Sequence, residues 1–536
     1  MTAYDAVVVG GGPNGLVAAN HLADAGWSVV VLEAQAEVGG GVRSDRELHP
    51  DFVHDTFSAF YPLAPLSVGL RTLELERHGL VWEHAPAVLG HPTPDGRWAL
   101  LHRDRTVTAT LMDEQHAGDG QAWLDLCSLW DRIGEPLLDG VTGPFPPVRA
   151  GARVLAAITR AGGLDVVRTL LTPASAIGHG DFGGDAARLL LSGNAGHADI
   201  PVGAPGSGVF GLLLTMLGQT VGFPVPRGGA GELTAVLRRR LEGAGGVVVT
   251  SAEVTSIEVR DGRVTGVRVA GGERYAARRA VVADVSALHL FGGPGRGGLL
   301  AEEHVPAGVR RGMRSFELDP GTVKVDWALS GPVPWAAPPP YAPGTVHVAD
   351  SVDAMALSLA KVAAYTIPAD PFLLTGQMTT SDPSRSPAGT ESFWAYTHVP
   401  QDDGPVIDEH DQITGAWDRD DCERMGDRIQ ARIERLAPGF GDLVVARRVL
   451  GPHELEHRNA NLVGGSLNGG TAQLHQELVL RPVPALLGRP GTGVRGLYLG
   501  SASAHPGGGV HGAPGHNAAR AAIAGELRHR LTRGHL

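Results

Sequence analysis

Three glycines and one acid near the start of the chain have the spacing of a dinucleotide-phosphate site. Gly10, Gly12 and Gly15 follow an apolar run and open a predicted helix, and Glu33 ends the next apolar run. The first glycine permits a tight turn, the second lets the backbone approach a pyrophosphate, and the third lets helix and strand pack closely. An acid at Glu33 accepts hydrogen bonds from a ribose and disfavours a 2′-phosphate, so the pattern predicts a dinucleotide other than NADP.

A second glycine-rich segment, residues 501–515, lies near the end of the chain. It stands between a predicted strand at 496–500 and a predicted helix from about 512 to 531. A helix N-terminus offers free N–H groups and the positive end of its dipole to an anion. We therefore expect both ends of the chain to hold one cofactor.

Three histidines are candidates for proton transfer, because an imidazole with a pKa near neutrality suits acid–base catalysis. His511, in the C-terminal glycine-rich segment, is the first candidate and His505 the second. His54 is a weaker candidate on the expected substrate side. The alternative for His511 is a loop histidine that hydrogen-bonds the backbone.

The elements that must position these residues follow from hydrophobic patterning. A strand at 6–9, a helix at 16–25 and a strand at 29–32 form a βαβ unit. Residues 71–220 are predicted to be helical, with breaks at 144–147 and 178–184 and a buried core helix at 209–223. Further strands are expected at 246–250, 254–260, 264–270, 279–284, 323–329, 372–379 and 392–398, and a further helix at 421–436.

Composition describes a globular protein and excludes several functional classes. The chain has 536 residues, 43% of them hydrophobic and 19% charged, and a net charge of −12 without a basic cluster, which argues against nucleic-acid binding and against an anionic membrane surface. Cys127 and Cys422 are isolated, which excludes a dithiol–disulfide reductase, and no metal-ligand spacing is present, so no metal is expected. Neither a signal peptide nor an apolar stretch of spanning length is found, and a cytoplasmic location is predicted.

Together these motifs resemble the phytoene desaturase-like flavoproteins, within the wider group that includes flavin amine oxidases. The branch that the chain most resembles is that of the pyridine nucleotide-disulfide oxidoreductase domain-containing protein 2-like proteins. The resemblance spans nearly the full length. The motifs that carry it are the N-terminal fingerprint with Glu33, residues 38–40, 226–229 and 480–482, and the C-terminal runs 497–500, 506–510 and 512–515.

The resemblance implies noncovalent FAD and an α/β fold. That fold has a Rossmann-like FAD-binding domain of the glutathione reductase type, in three segments (1–70, 221–295 and 485–536), and an inserted α+β substrate domain (71–220 and 296–484). Arg43 stands two residues beyond the usual Gly-Gly-Arg position of the family. The implied cofactor contacts are Gly10, Gly12, Pro13, Asn14, Gly15, Glu33, Ala34, Gly40, Gly41, Arg43, Val254, Gly500, Ser501, Gly508, Gly509, Val510 and Asn517.

Three functions stay open at this point. The favoured one is an FAD-dependent dehydrogenase or desaturase that transfers hydride from a C–H bond of an apolar or extended organic substrate to flavin N5. A flavin amine oxidase would need an aromatic cage or a lysine–water pair, and the chain has only Lys324 and Lys361. The third is a flavin-containing isomerase or interaction protein without net redox turnover. The expected partner is a small organic substrate, while peripheral membrane contact and the oligomeric state stay open.

Overall fold

A computed structural model describes residues 2–533 of the chain. Its first sheet has the strand order β10-β11-β12-β1-β2-β9, with β20 added beside β12. The pairs among β12, β1, β2, β9 and β20 are parallel, and β10, β11 and β12 pair antiparallel. The seven strands are β1 (Thr2–Val9), β2 (Val29–Leu32), β9 (Val247–Val249), β10 (Val254–Arg260), β11 (Arg263–Val269), β12 (Arg274–Ala283) and β20 (Leu497–Leu499).

Strand β1 is buried on both faces, as a central parallel strand requires. Val7 and Val9 pack into one hydrophobic cluster with β10–β12. Ala6 and Val8 face the opposite side, where they pack against alanines of the first and last long helices. The βαβ unit predicted from the first 32 residues is therefore present, and helix α1 (Pro13–Asp24) connects its two strands.

The second sheet is mostly antiparallel and has the order β19-β13-β17-β16-β14-β6-β7. Only the pair β6 and β14 is parallel. The strands are β6 (Ala87–Pro92), β7 (Trp98–Leu101), β13 (Gly321–Leu329), β14 (Pro343–Val348), β16 (Leu373–Gln377), β17 (Glu391–Val399) and β19 (Val444–Leu450). Two-stranded pairs join β3 (Ser44–Asp45) with β4 (His54–Asp55), β5 (Trp82–Glu83) with β8 (Val225–Pro226), and β15 (Thr366–Ile367) with β18 (Ile407–Asp408).

The prediction of helix from residue 71 onward is wrong for its first part. Strands β5, β6 and β7 occupy residues 82–101, and β6 and β7 form a hairpin. Asp95 and Gly96 lie in the connection between them, and Gly96 has a φ of 82°. Turn residues between two apolar runs indicate a hairpin. The prediction missed this signal because it treated the whole apolar segment from residue 71 to 220 as one pattern.

Helices cover the first sheet and form a layer beside the second one. Helices α1, α9 and α16 pack against the first sheet, and α3–α8 form most of the helical layer. The remaining helices are α2 (Val68–Arg71), α3 (Arg105–Asp113), α4 (Asp119–Thr142), α5 (Val148–Ala161), α6 (Leu164–Leu171), α7 (Ala186–Ala195), α8 (Ser207–Thr220), α9 (Gly231–Gly243), α10 (Ala287–Phe291), α11 (Ala307–Gly312), α12 (Val352–Ala363), α13 (Met378–Ser381), α14 (Arg419–Glu434), α15 (Pro452–Arg458) and α16 (Ala513–Arg533).

The two sheets draw their strands from different parts of the chain. All strands of the first sheet lie within 1–70, 221–295 and 485–536, and all strands of the second lie within 71–220 and 296–484. The domain boundaries themselves stay a prediction. Within residues 2–533, none of the helices combines the length and apolar character needed to cross a bilayer. The cytoplasmic location also stays a prediction.

Candidate functional site

The turn between β1 and α1 needs glycine for steric reasons. Gly10 has a φ of 99°, and a Cβ there would lie 2.6 Å from the carbonyl oxygen of Asp284. A Cβ on Gly15 would overlap the carbonyl oxygen of Gly10. The helix can therefore begin this close to the strand only without side chains at these positions.

Glu33 lies at the carboxyl end of β2, beside this turn. Its side chain accepts hydrogen bonds from the N–H of Gly11 at 2.7 Å and from the N–H of Gln35 at 2.8 Å. The residue is buried, whereas the following Ala34 is exposed. The carboxylate thus lies next to the glycine turn, where an acid of this fold receives ribose hydroxyls.

Asp284 belongs to the same turn and was missed by the sequence analysis. It follows β12, and its Oδ2 accepts a hydrogen bond from the N–H of Gly15 at 2.8 Å. Burial, and then the nearby charge of Glu33, raises the pKa of this carboxyl to about 7. The sequence signal that could have identified Asp284 is its position directly after a buried strand. The carboxyl ends of neighbouring parallel strands meet at that edge of the sheet.

The loop after β2 closes over the glycine turn. Gly40 has a φ of 52°, and a Cβ there would lie 3.0 Å from the Cα of Gly12. Gly40 and Gly41 both line the cavity described below. Arg43 does not: its Nη2 donates to the carbonyl of Arg458 at 2.8 Å, and its guanidinium lies over the ring of Phe57.

The C-terminal segment approaches the same turn from the other side. Helix α16 crosses α1 so closely that a Cβ on Gly515 would overlap the backbone of Asn14. Arg481 is almost fully buried and holds this region together: its guanidinium donates to the carbonyls of Asn468, Gly470, Thr471 and Ala502 and pairs with Glu477 at 2.7 Å.

A cavity of about 590 Å³ lies between these segments. One end is formed by the two glycine-rich segments. Pro13 and Asn14 at the start of α1 line it, as does the loop 508–511 that precedes α16. The other end is bounded mainly by apolar side chains of α4, α8 and the loop before α2. The implied cofactor contacts that line the cavity are Gly12, Pro13, Asn14, Gly40, Gly41, Ser501, Gly508, Gly509 and Val510. The apolar side chains of the lining include Phe60, Leu63, Leu137, Leu138, Val141, Val209, Phe210, Leu213 and Leu214.

These residues fit a bound dinucleotide. The wall at Gly12, Gly40 and Gly41 leaves the backbone open to a pyrophosphate. Asn14 is buried, and its Oδ1 accepts no hydrogen bond from the described residues, although a buried polar atom needs a partner. A carboxyl at Asp284 with a pKa near 7 also reduces the repulsion that a pyrophosphate would meet there.

Three further implied cofactor contacts lie outside the cavity lining. Gly500 packs against Val282 and α16, and Asn517 donates from Nδ2 to the carbonyl of Thr142 at 3.3 Å. Val254 begins β10 close to the strand end that carries Glu33, since the N–H of Ala252 donates to the Glu33 carbonyl. Gly500, Asn517 and Val254 are not among the lining residues.

His511 lines the cavity, but its ring is occupied by its own loop. The carbonyl of Gly508 lies 3.1 Å from Nε2, and Nδ1 accepts from the N–H of Ala513 at 3.1 Å. Burial lowers the pKa of His511 to about 4. Both ring nitrogens thus contact backbone groups, which favours the alternative of a backbone-bound loop histidine over that of a base.

The two other histidine candidates do not line the cavity. His505 lies 3.2 Å from the carbonyl of Gly143 through Nε2, and burial lowers its pKa. His54 lies 3.2 Å from Ser392 Oγ through Nδ1, and burial lowers its pKa to about 4. Neither geometry favours a catalytic role.

Lys324 lines the cavity from the second sheet. It lies on β13, and its Nζ donates to the carbonyl of Asp55 at 3.0 Å and forms an ion pair with Asp326. Burial lowers the pKa of this amine. The other lysine, Lys361 on α12, pairs with Glu409 and is far less buried.

Asp199 is a further acid in the cavity wall that the sequence analysis missed. It follows α7 in a left-handed conformation with a φ of 58°, and it is only 4% exposed. Its carboxylate contacts Asn468 and His398. No sequence signal links these three residues, because they are far apart in the chain and meet only through the fold.

Comparison with known proteins supports the dinucleotide site that the geometry indicates. Residues 8–64 match the family model of the NAD(P)-binding Rossmann-like domain. The pyridine nucleotide-disulfide oxidoreductase domain-containing protein 2 of Rattus norvegicus is 29% identical over 96% of this chain and 92% of its own length. The prolycopene isomerase 2 of an Oncidium hybrid cultivar is 23% identical over 95% of this chain and 81% of its own length.

The predicted family resemblance is confirmed. Among solved structures, putrescine oxidase bound to putrescine has a TM-score of 0.60 at 16% identity, with 97% of this chain and 98% of that chain covered. At this identity the likeness concerns the fold alone. The α/β class with a Rossmann-like dinucleotide-binding unit is thus confirmed as well.

Proposed function

We propose that the chain is an FAD-dependent oxidoreductase that removes hydride from a C–H bond of an apolar or extended organic substrate. The observation that carries this proposal is the single cavity that joins a glycine-lined dinucleotide end to an apolar end. A cofactor held at the first end would expose its ring system to a substrate in the second. Cavities of a few hundred Å³ with apolar walls and few polar groups are typical of small-molecule sites.

FAD would be held by both ends of the chain. Gly12, Asn14 and the N-terminus of α1 would receive the pyrophosphate, and Glu33 the ribose. The backbone of residues 508–510 and the N-terminus of α16 would face the ring and stabilise negative charge there. Bound flavin supplies a hydride acceptor at N5.

The rest of the cavity has a role in orientation and in excluding water. Phe210, Leu213 and Leu214 on α8 line the apolar end together with Leu137 and Leu138 on α4. An extended hydrocarbon would bury apolar surface there, at about 25 cal/mol for each Å² removed from water. Water would be excluded from the reacting carbon by the same packing.

A flavin amine oxidase is the second candidate, and Lys324 is the observation in its favour. A flavin amine oxidase would need a lysine–water pair near the flavin, and Lys324 is a lysine that lines the cavity. Trp394 and Tyr396 also line the cavity, but their rings stack on each other at 5.9 Å. That spacing leaves no room for a substrate between them, so they do not form a cage.

An isomerase without net redox turnover is the third candidate. The full-length similarity to a prolycopene isomerase supports it, and an apolar cavity would suit a polyene equally well. The difference from the favoured function is chemical: an isomerase returns its electrons to the product, so substrate leaves no reduced flavin behind.

Peripheral membrane contact is also proposed, from the surface of α5 and α6. Val148, Leu155, Leu164 and Leu171 are 74%, 68%, 85% and 54% exposed. Residues 148–171 carry four arginines and one aspartate in a chain of net charge −12. Exposed apolar and basic residues on one helix pair are typical of binding to an anionic lipid surface.

The visible spectrum of the purified protein is the first test. We expect a flavin spectrum, and a colourless protein that binds NAD but no flavin would contradict the proposal. Anaerobic mixing with phytoene, prolycopene, putrescine and cyclohexylamine then separates the candidates. Bleaching by phytoene supports the dehydrogenase and bleaching by either amine supports the oxidase, whereas conversion of prolycopene without bleaching supports the isomerase.

NADH and NADPH are the control reductants in the same experiment. The one dinucleotide fingerprint with a complete βαβ context is at the N-terminus, so we expect no tight nicotinamide site beside the flavin. Rapid stoichiometric reduction by either nucleotide would contradict this expectation.

A further inference from the structure

Two polar side chains reach the cavity with surface that the protein leaves uncovered. His197 lies in the helical turn Gly196–Ala198 after α7, and within residues 189–200 it alone is not fully buried. Tyr396 on β17 has the same distinction within residues 391–400. Both residues line the cavity, so their uncovered surface is cavity surface.

The ring of His197 uses one of its two nitrogens inside the protein. Its Nε2 lies 2.9 Å from Nε2 of His347 on β14, so one of these nitrogens donates and the other accepts. Burial lowers the pKa of His197 to about 3 and that of His347 well below its usual range. Both rings are therefore neutral, and each carries a single N–H.

The surroundings of His347 decide which ring donates. Its Nδ1 is buried without a hydrogen-bond partner among residues 2–533. This nitrogen faces the backbone of α7 so closely that a Cβ on Gly193 would overlap it. A buried N–H without an acceptor is rarer than an unused acceptor, so the proton of His347 lies on Nε2. His197 then accepts at Nε2 and carries its own proton on Nδ1.

Nδ1 of His197 is thus a hydrogen-bond donor that the protein does not use. Within residues 2–533 it has no partner, and unlike Nδ1 of His347 it is not buried. The hydroxyl of Tyr396 is likewise neither bonded nor buried in the described part of the chain. Burial, and then the charge of Asp199, raises the pKa of Tyr396 well above its usual range, so this hydroxyl keeps its proton.

The two donors lie around the ring of His398. That ring is 5.6 Å from the ring of Tyr396, edge to face, and its charge also acts on His197. Its Nε2 lies 2.9 Å from Oδ1 of Asp199, which follows His197 by two residues. Trp394 stacks on Tyr396 at 5.9 Å and limits the movement of the phenol. His197 and Tyr396 therefore share one wall of the cavity.

Other polar side chains of the lining are already engaged. Lys324 pairs with Asp326, and Glu477 with Arg481. Both nitrogens of His511 contact backbone groups. A ligand oxygen at the two unused donors would break none of these contacts.

We propose that His197 and Tyr396 bind a carbonyl or hydroxyl oxygen on an otherwise apolar substrate. The inference rests on the proposed function and names a feature of its substrate. A carbonyl oxygen has two lone pairs, so it accepts one hydrogen bond from Nδ1 of His197 and one from the hydroxyl of Tyr396. The apolar side chains of α4 and α8 would bury the hydrocarbon part, and the two donors would fix the orientation of the molecule.

The direct test compares two ligands that differ in one group, with the full chain loaded with FAD. The first is the isoprenoid ketone geranylacetone, and the second is the hydrocarbon in which CH₂ replaces its C=O. Isothermal titration calorimetry measures both affinities without turnover. We expect the wild type to bind the ketone at least about tenfold more tightly, because the hydrocarbon leaves both donors unpaired.

Tyr396→Phe removes one donor without removing a hydrogen bond of the protein. We expect an unchanged free energy of unfolding, an unchanged affinity for the hydrocarbon and an affinity for the ketone that is lower by about tenfold. Tyr61→Phe is the matched control. Tyr61 also lines the cavity, but its hydroxyl donates to the Ser58 carbonyl at 2.8 Å, so this variant should keep the preference for the ketone.

His197→Asn and His197→Leu separate hydrogen bonding from shape. Both remove the acceptor of the His347 N–H, so we expect a similar loss of stability in the two variants. Asparagine places an amide N–H close to the former position of Nδ1, whereas leucine places a methyl group there. The preference for the ketone should therefore survive in His197→Asn and fall in His197→Leu.

Three results would overturn the inference: equal affinity of the wild type for the two ligands, no binding of the ketone, or the full preference in Tyr396→Phe. Failure of the proposed function would look different. A ketone preference that depends on His197 and Tyr396, in a protein whose flavin no compound bleaches, would support this site and contradict the proposed redox reaction.

Discussion

At the scale of single residues, the C-terminal loop uses His511 to connect its own backbone groups. Its ring joins the Gly508 carbonyl to the N–H of Ala513, which lies in the first turn of α16. The residue therefore shapes the loop that lines the cavity. Its type and position suggested catalysis, whereas its two hydrogen bonds favour a structural role.

His511→Ala should leave substrate-driven bleaching within about tenfold of the wild type, since no catalytic proton transfer (about 10²–10⁴-fold) is lost. The substitution should instead lower the free energy of unfolding by about 1–3 kcal/mol, because the buried hydrogen bonds of the ring are lost. Because the pKa of about 4 lies below the ordinary 6.5, the unfolded chain gains this proton first as pH falls. The stability gap to the wild type should thus narrow from pH 7 toward pH 4.5 in urea unfolding. A gap that widens would contradict this account.

Asp284→Asn tests the acid beside the pyrophosphate site. The asparagine oxygen can still accept from the N–H of Gly15, but it carries no charge. Because the carboxyl has a pKa of about 7, wild-type affinity for FAD should fall as pH rises from 6 to 8. The variant should bind with little pH dependence, about tenfold tighter at pH 8, equivalent to about 1.4 kcal/mol. Fluorescence titration measures this, with the exposed Asp181→Asn as control; equal pH dependence in both variants would contradict it.

At the scale of elements, the site depends on the contact between α1 and α16. These helices come from opposite ends of the sequence; α1 begins at the cavity, and α16 follows directly on the loop that lines it. Gly515 makes the close crossing possible, because any side chain there would overlap the Asn14 backbone. The absence of a side chain at Gly515 thus sets how closely the N-terminal turn of α16 approaches that of α1.

Gly515→Ala should separate α1 from α16, with a loss of about 1–3 kcal/mol in unfolding free energy from overpacking and a loss of bound FAD. Gly151→Ala is the control, because Gly151 lies in α5 with open space around its Cβ position. That variant should keep FAD and gain up to about 1 kcal/mol from helix propensity. Chemical denaturation and flavin absorbance measure both; normal FAD retention in Gly515→Ala would show that the crossing does not position the site.

At the scale of the whole molecule, charge and apolar surface are unevenly distributed. The net charge is −12, but residues 148–171 carry an excess of arginine together with exposed leucines and a valine. Helix α5 follows α4, which lines the apolar end of the cavity. A lipid surface at α5 and α6 would therefore lie next to the helix that lines the apolar end.

The protein should therefore sediment with vesicles that contain phosphatidylserine, and less with vesicles of phosphatidylcholine alone. Each arginine near an anionic surface contributes about 1 kcal/mol, so Arg149→Gln with Arg160→Gln should weaken binding by at least tenfold. Leu164→Ser should weaken it for both lipids. Equal sedimentation of these variants and the wild type would rule out this surface.

The sequence by itself determined the βαβ unit, because strand, glycine turn, helix and acid are encoded within 33 consecutive residues. It also predicted the C-terminal strand, loop and helix, and three of the seven strands of the second sheet: β13, β16 and β17. These are local patterns, in which hydrophobic period and turn residues act over short distances.

The tertiary structure decided what no local pattern encodes. It made residues 82–101 strands, because β6 pairs with the distant β14. It placed Asp284 beside Gly15, brought Asp199, His398 and Asn468 together, and turned both nitrogens of His511 toward the backbone. The burial and pKa of Asp284 depend on residues more than 200 positions away in the sequence, so they could not be predicted from a local pattern.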